Sequence, residues 1–275
     1  MPKSVVITGG TRGMGRATAL RRLARGDTVT VLGSDATAGA ALLASADDPN
    51  LRFVQADLSS IDEIRGAAHQ IAENHQAVDA LALFANRLSA RRTVTADGLE
   101  STFALYYLSR YLMARYLQPL LDRSPNPVII NVAGVGNTAG AIQWDDPQLS
   151  QRYGVVRAQL QAGRANDLAG VAYAQLDHSA RYVLYHPGFT RTGSNGHPNP
   201  LVRATISTLA RFFARPVEDA IAPIVEWIDH PPSAALTAID RGKVVPATLA
   251  TLDPGDAARL AAYTEELMST RQPSG

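Results

Sequence analysis

The stretch Thr8-Gly9-Gly10-Thr11-Arg12-Gly13-Met14-Gly15-Arg16 carries the clearest chemical signal in the chain. Glycines at this spacing permit a tight turn and let backbone approach a pyrophosphate. The free amides at the start of a following helix then face its charge. The required context is present, because the apolar run Val5–Thr8 precedes the cluster and a helical segment follows it. A dinucleotide is therefore expected at Thr8, Gly9, Thr11, Arg12, Gly13, Met14 and Gly15; an ordinary tight turn is the competing reading.

Acid–base groups are distributed less favourably. Of the 26 lysines and arginines, only Lys3 and Lys243 are lysines, so a mechanism needing a mid-chain ammonium is excluded. The absence of cysteine removes thiolate catalysis, disulfides and cysteine–zinc sites. His69 and His75 are six apart on a helical segment and share no face, so no metal-ligand set emerges. Two Tyr-x-x-x-Arg pairs draw attention, Tyr111 with Arg115 and Tyr153 with Arg157. Residues four apart on a helix can communicate. Trp144 could stack on a flat substrate and Asp145 or Asp146 could act as a base, though a loop anchor with solvated acids is the blander alternative.

The elements that must position these groups follow from the pattern of apolar runs. Val5–Thr8, Thr28–Leu32, Leu51–Gln55, Ala80–Phe84, Val128–Val132 and Tyr182–Tyr185 read as buried strands. Gly13–Arg25, Ala36–Ala46, Ile61–Asn74, Gly98–Leu121 and Tyr153–Leu176 read as helices between them. This alternation predicts an α/β fold, a doubly wound parallel sheet with helices on both faces. Ligands bind such sheets beyond the carboxyl ends of the strands. The loops Gly134–Arg152 and His186–Pro200 are placed there, and Pro231–Asp256 reads as irregular with one further strand. A length of 275 residues with 46% hydrophobic and 19% charged residues fits a single globular domain. A net charge of +1 gives no broad basic field for nucleic acid. No run approaches a membrane span and no leader is visible, so a soluble cytoplasmic protein is expected.

The pattern Thr-Gly-x-x-x-Gly-x-Gly at the N-terminus resembles that of the short-chain dehydrogenase/reductase family. Ala56-Asp57-Leu58-Ser59 resembles the family's adenine-contacting segment, and Asp79–Asn86 lies where the family ends its fourth strand. Asp97–Glu100 with Phe103, Ile130-Asn131-Val132, and His186-Pro187-Gly188 with Thr190 and Thr192 extend the likeness over residues 3–230, leaving 231–275 as a C-terminal extension. The retinol-dehydrogenase-like branch is the nearest. The resemblance implies one Rossmann-type domain and adds Asp57, Leu58, Ala85, Asn86, Pro187, Gly188 and Thr190 to the cofactor contacts. The acidic residue that selects NAD is replaced by Gly33 with Ser34 behind it, Asp35 lies slightly too far along, and Arg12 suits a 2′-phosphate. NADP(H) is expected ahead of NAD(H).

The same resemblance shows what the chain lacks. The family's serine position falls on Gly134 and its helix-four asparagine on Tyr106. Its tyrosine and lysine fall on Leu160 and Arg164 in one register, or Gln159 and Gly163 in another. The expectation is a repurposed non-redox enzyme performing cyclisation, isomerisation or elimination on a small apolar metabolite, with secondary metabolism a plausible setting. The candidate residues are Tyr153, Tyr106, Trp144, Asp145 and Arg164. The alternatives are a non-catalytic partner subunit or NADP(H) sensor, and an atypical NADP-dependent carbonyl reductase using Tyr153. Assembly as a homodimer or tetramer, or with an active family member, is expected through the Tyr/Leu-rich segment Leu105–Leu121.

Overall fold

The computed structural model describes residues 2–188 and 216–271. Among the described residues, eight strands form one sheet in the order β3-β2-β1-β4-β5-β6-β7-β8. They are β1 (Ser4–Thr8), β2 (Thr28–Gly33), β3 (Leu51–Gln55), β4 (Ala80–Leu83), β5 (Val128–Val132), β6 (Arg181–His186), β7 (Leu236–Asp240) and β8 (Lys243–Val244). All pairings are parallel except β7 with β8. The central strands are covered on both faces, which is why β1, β4 and β5 read as unbroken apolar runs rather than alternating ones.

The α-helices among the described residues are α1 (Gly13–Leu23), α2 (Ala36–Ala46), α3 (Ile61–Asn74), α4 (Ser109–Leu121), α5 (Val155–Ala174), α6 (Val217–Asp229) and α7 (Pro254–Ser269). One apolar core gathers residues of α3, α4, α5 and α7 against the sheet; a second, on the opposite face, gathers residues of α1 and α6. This is the doubly wound arrangement the alternation predicts. The strand order reverses between β1 and β4, and the loop after β1 opens at that reversal.

Several elements differ from expectation. The segment Gly98–Leu121 is not one helix, because Phe103–Leu108 forms a π-helical stretch leading into α4. Its start is fixed by the buried Glu100 carboxylate, which accepts from the amides of Thr102 and Phe103 at 2.8 Å each. Helix α1 stops at Leu23, just before Gly26 at φ 83°, a left-handed residue that favours glycine. Tyr153 lies outside α5, since Gly154 is the extended cap residue at the head of that helix. Beyond residue 230, β7 extends the sheet, β8 closes a hairpin, and α7 places Ala257 and Leu260 in the core.

Candidate active site

The glycine loop lies at the strand-order reversal and is built by close approach. Gly9, at φ 67°, would drive a Cβ to 2.8 Å from the Ala85 amide nitrogen on the neighbouring strand end. A Cβ on Gly15 would stand 2.5 Å from the Gly9 carbonyl oxygen. The loop is anchored by the Gly9 amide donating to the Leu32 carbonyl at 2.9 Å. No side chain caps the first turn of α1, whereas Asp35 caps α2 and Ser60 caps α3. A bare backbone crevice leading to an uncapped helix start fits a pyrophosphate.

The remaining dinucleotide candidates surround this crevice unevenly. Thr8 is buried and its hydroxyl accepts from the Ala85 amide at 3.4 Å. Met14 packs against the α1–α6 core, and a Cβ on Gly33 would meet the Thr11 methyl at 3.1 Å. Arg12 donates to Asp35 at 2.5 Å, so Asp35 reaches the glycine loop that its sequence position suggests it would miss. Ser34 is exposed beside that pair. Asp57 accepts from the Ser59 amide and hydroxyl in a local turn, and Leu58 buries its side chain in the core. Pro187 is buried after β6, and Gly188 follows at φ 87°. Thr190 and Thr192 lie outside the described residues.

Beyond the ends of β4 and β5 the chain reaches Asn86 and Gly134, and α5 meets the first of them. Of the two registers on α5, the one through Gln159 has a side chain that reaches the segment after β4. Gln159 exchanges amide hydrogen bonds with Asn86 at 3.1 and 3.3 Å and donates to the Arg87 carbonyl at 3.2 Å. A Cβ placed on Gly163, or on Gly134 after β5, meets nothing within 4 Å. The Leu160 carbonyl lies against Gly140, and the Arg164 charge acts on Asp167.

Tyr106 enters this space from the π-helical stretch. Its hydroxyl accepts from the Gly134 amide at 3.2 Å, and its ring lies 4.6 Å from the Arg110 guanidinium carbon. Burial raises the phenol above its ordinary range, opposed by the Arg110 charge and the Gly134 amide and reinforced by Asp167. Asn166 of α5 donates to the Tyr106 carbonyl at 2.7 Å, which supports the wide turn there. Tyr106-x-x-x-Arg110 is a third pair with the spacing of Tyr111/Arg115 and Tyr153/Arg157. It was legible in the sequence as a spacing but not as a face, because a π turn re-aims its residues.

The other candidates are drawn elsewhere. The Tyr153 hydroxyl donates to the Ser89 carbonyl at 2.6 Å, and Tyr153 does not share a helical face with Arg157 because it precedes α5. Trp144 stacks on Arg259 of α7 at 4.1 Å, and Asp145 is exposed. A buried carboxyl that the sequence did not single out is Asp167 on α5. It accepts from the Gly136 amide at 3.0 Å. Burial pushes it up to about 7, against the pull of that amide and of Arg164. Its Oδ1 and the nearby Thr251 hydroxyl are both buried without a partner in hydrogen-bonding geometry.

Fold and crevice together define a nucleotide-binding α/β enzyme architecture. The short chain dehydrogenase family model matches residues 3–145, more than half of the chain, and the chain belongs to that family. A Streptomyces sp. (strain C5) protein provisionally named a daunorubicin C-13 ketoreductase, DnrU, is 29% identical over 94% of this chain and 90% of its own length. Retinol dehydrogenase 13 of Mus musculus is 28% identical over 71% of this chain and 60% of its own length, in line with the branch expected from the motifs. An uncharacterised protein from Mycobacterium Paratuberculosis has a solved structure matching with TM-score 0.74 at 20% identity, covering 97% of this chain and 93% of that one. The Pseudomonas aeruginosa RhlG/NADP active-site complex matches with TM-score 0.66 at 21% identity, covering 87% and 95%.

Proposed function

We propose that this family member keeps the dinucleotide crevice, with NADP(H) ahead of NAD(H), and uses the adjoining cleft for a non-redox step on a small apolar metabolite bearing a carbonyl group. The step is a cyclisation, an isomerisation or an elimination. The observation that carries the reading is Gln159 of α5 bonded to Asn86 beyond β4, with Gly163 four residues on and Gly134 after β5 both lacking a side chain. An amide does not titrate, and glycine offers neither a proton nor a charge, so the family's coupled proton and ribose contacts have no counterpart there. When bound, the nicotinamide cofactor supplies hydride chemistry in this family. Here Gly9, Gly13 and Gly15 with the α1 amides would hold its pyrophosphate, and Arg12 would take a 2′-phosphate from its exposed pairing with Asp35. Positioning and exclusion of water remain available to the cleft without the missing groups.

The ketoreductase name of a relative spanning 94% of the chain favours a second reading, an atypical carbonyl reductase. One experiment separates the two. NADPH and NADH binding is measured by calorimetry, and a carbonyl panel is then incubated with NADPH while nucleotide oxidation and substrate loss are followed independently. Binding without oxidation, together with substrate conversion, is the expected result. Oxidation of NADPH in step with carbonyl loss would establish the reductase, and binding of neither nucleotide would remove the cofactor from the proposal.

A further inference from the structure

Arg110 is 1% exposed, and every hydrogen-bond acceptor it meets is neutral: Asn131 Oδ1, the Val132 carbonyl at 2.8 Å and the Ala85 carbonyl at 3.0 Å. Its Nε is buried without a partner. The other fully buried arginine among the described residues, Arg22, is paired with both Asp27 and Asp229. Among the described residues no carboxylate pairs with Arg110. A buried charge left without a counter-ion is costly, and a site that acquires negative charge during use relieves that cost. Arg110 sits where such a site would be, bonded to the carboxyl ends of β4 and β5.

The group placed to receive that charge is one turn earlier. Tyr106 lies over the Arg110 guanidinium, and its hydroxyl oxygen already accepts from the Gly134 amide. That bond uses a lone pair and leaves the O–H unspent, with no acceptor for it among the described residues. The neighbouring Gly134 leaves open space for a ligand atom.

We propose that Tyr106 and Arg110 form an oxyanion-stabilising pair: the Tyr106 O–H donates to a carbonyl or enolate oxygen of the ligand, and Arg110 beneath the ring stabilises the negative charge on that oxygen. Tyr106 is the catalytic residue and Arg110 the positioning residue. The ligand class that fits is an enolisable ketone, whose oxygen gains charge as it reacts. The inference rests on the reading that this cleft is the reaction site, but it does not depend on whether the step is redox.

The test uses 4-nitrophenol, an oxyanion probe whose ionised form absorbs visible light. It is titrated into the full chain, Y106F, R110K and R110M, with NADPH binding measured on the same samples. The wild type should bind the probe as phenolate, with an ionisation midpoint lowered by about one pH unit or more, and Y106F should weaken binding about tenfold. R110K should keep the lowered midpoint and R110M should lose it, a split that a purely structural arginine does not produce. Equal affinity for wild type and Y106F, an unshifted midpoint, or no binding to the wild type would overturn the proposal. If R110M does not fold, Y106F and R110K decide alone. Loss of NADPH binding with the probe response intact removes the dinucleotide reading and leaves this one standing; the reverse outcome does the opposite.

Discussion

Asp167 shows how one buried group sets a pH response. Its ordinary value is 3.8 and burial pushes it up to about 7 in the folded chain. Between those values the folded state holds a proton that the unfolded chain has released, so stability falls as pH rises through the window. The span corresponds to an effect on the order of a few kcal/mol. Urea unfolding at either end of the window should show the wild type less stable at the upper end, and D167N should lose that slope. Arg12 and Asp35 allow a second prediction at this scale. Their contact is an exposed pair, weak and readily exchanged. R12A should weaken NADPH binding about tenfold and leave NADH nearly unchanged, since the arginine fork has value only against the phosphate. D35N should strengthen NADPH binding by removing the competing carboxylate. Titration calorimetry of both nucleotides against both variants checks this, and equal losses for the two nucleotides would assign Arg12 a structural role.

At the scale of elements, the glycines within α5 and after β5 are sterically permissive. Cβ atoms at Gly163 and Gly134 meet nothing within 4 Å, and replacing a glycine inside α5 gains helix propensity of about 0.5–1 kcal/mol. The variant G134S/Q159Y/G163K should therefore fold, and NADPH oxidation with a carbonyl panel should rise above the wild-type background. G15A added to it should abolish that gain, because its Cβ would stand 2.5 Å from the Gly9 carbonyl oxygen. How much of this was readable beforehand varies by element. The strands were legible because burial on both faces makes them continuous apolar runs, and the glycine loop because it lies between β1 and α1. The choice between the two α5 registers was not, since it depends on how the helix is rotated against Asn86. Nor was the π-helical stretch at Phe103–Leu108, whose apolar spacing is that of an ordinary helix while its carbonyl at Tyr106 is held from α5.

At the scale of the whole molecule, α7 decides what the helix faces around α4 and α5 can do. The segment Leu105–Leu121 reads as an assembly surface, yet its tyrosines are met from within the chain. Tyr107 bonds Thr264 at 2.7 Å, and Tyr111 and Arg115 both bond Glu265. Leu260 is 1% exposed beneath the same helix. A second copy docking on this face would have to displace those contacts, so the full chain should sediment as a monomer with respect to it. A chain cut before Pro254 should behave differently, because it uncovers the apolar side of α4 and α5 and the hydroxyl of Tyr107 together. Concentration-dependent self-association on removing α7, with loss of cooperative unfolding, is the expected outcome. The gentler variant L260A should lower stability by about 2–5 kcal/mol without association, because it leaves a cavity but keeps the cover. Sedimentation velocity on all three chains checks the argument. A full chain that already forms dimers disrupted by substitutions at Tyr111 and Arg115 would show instead that α7 yields this face to a second copy.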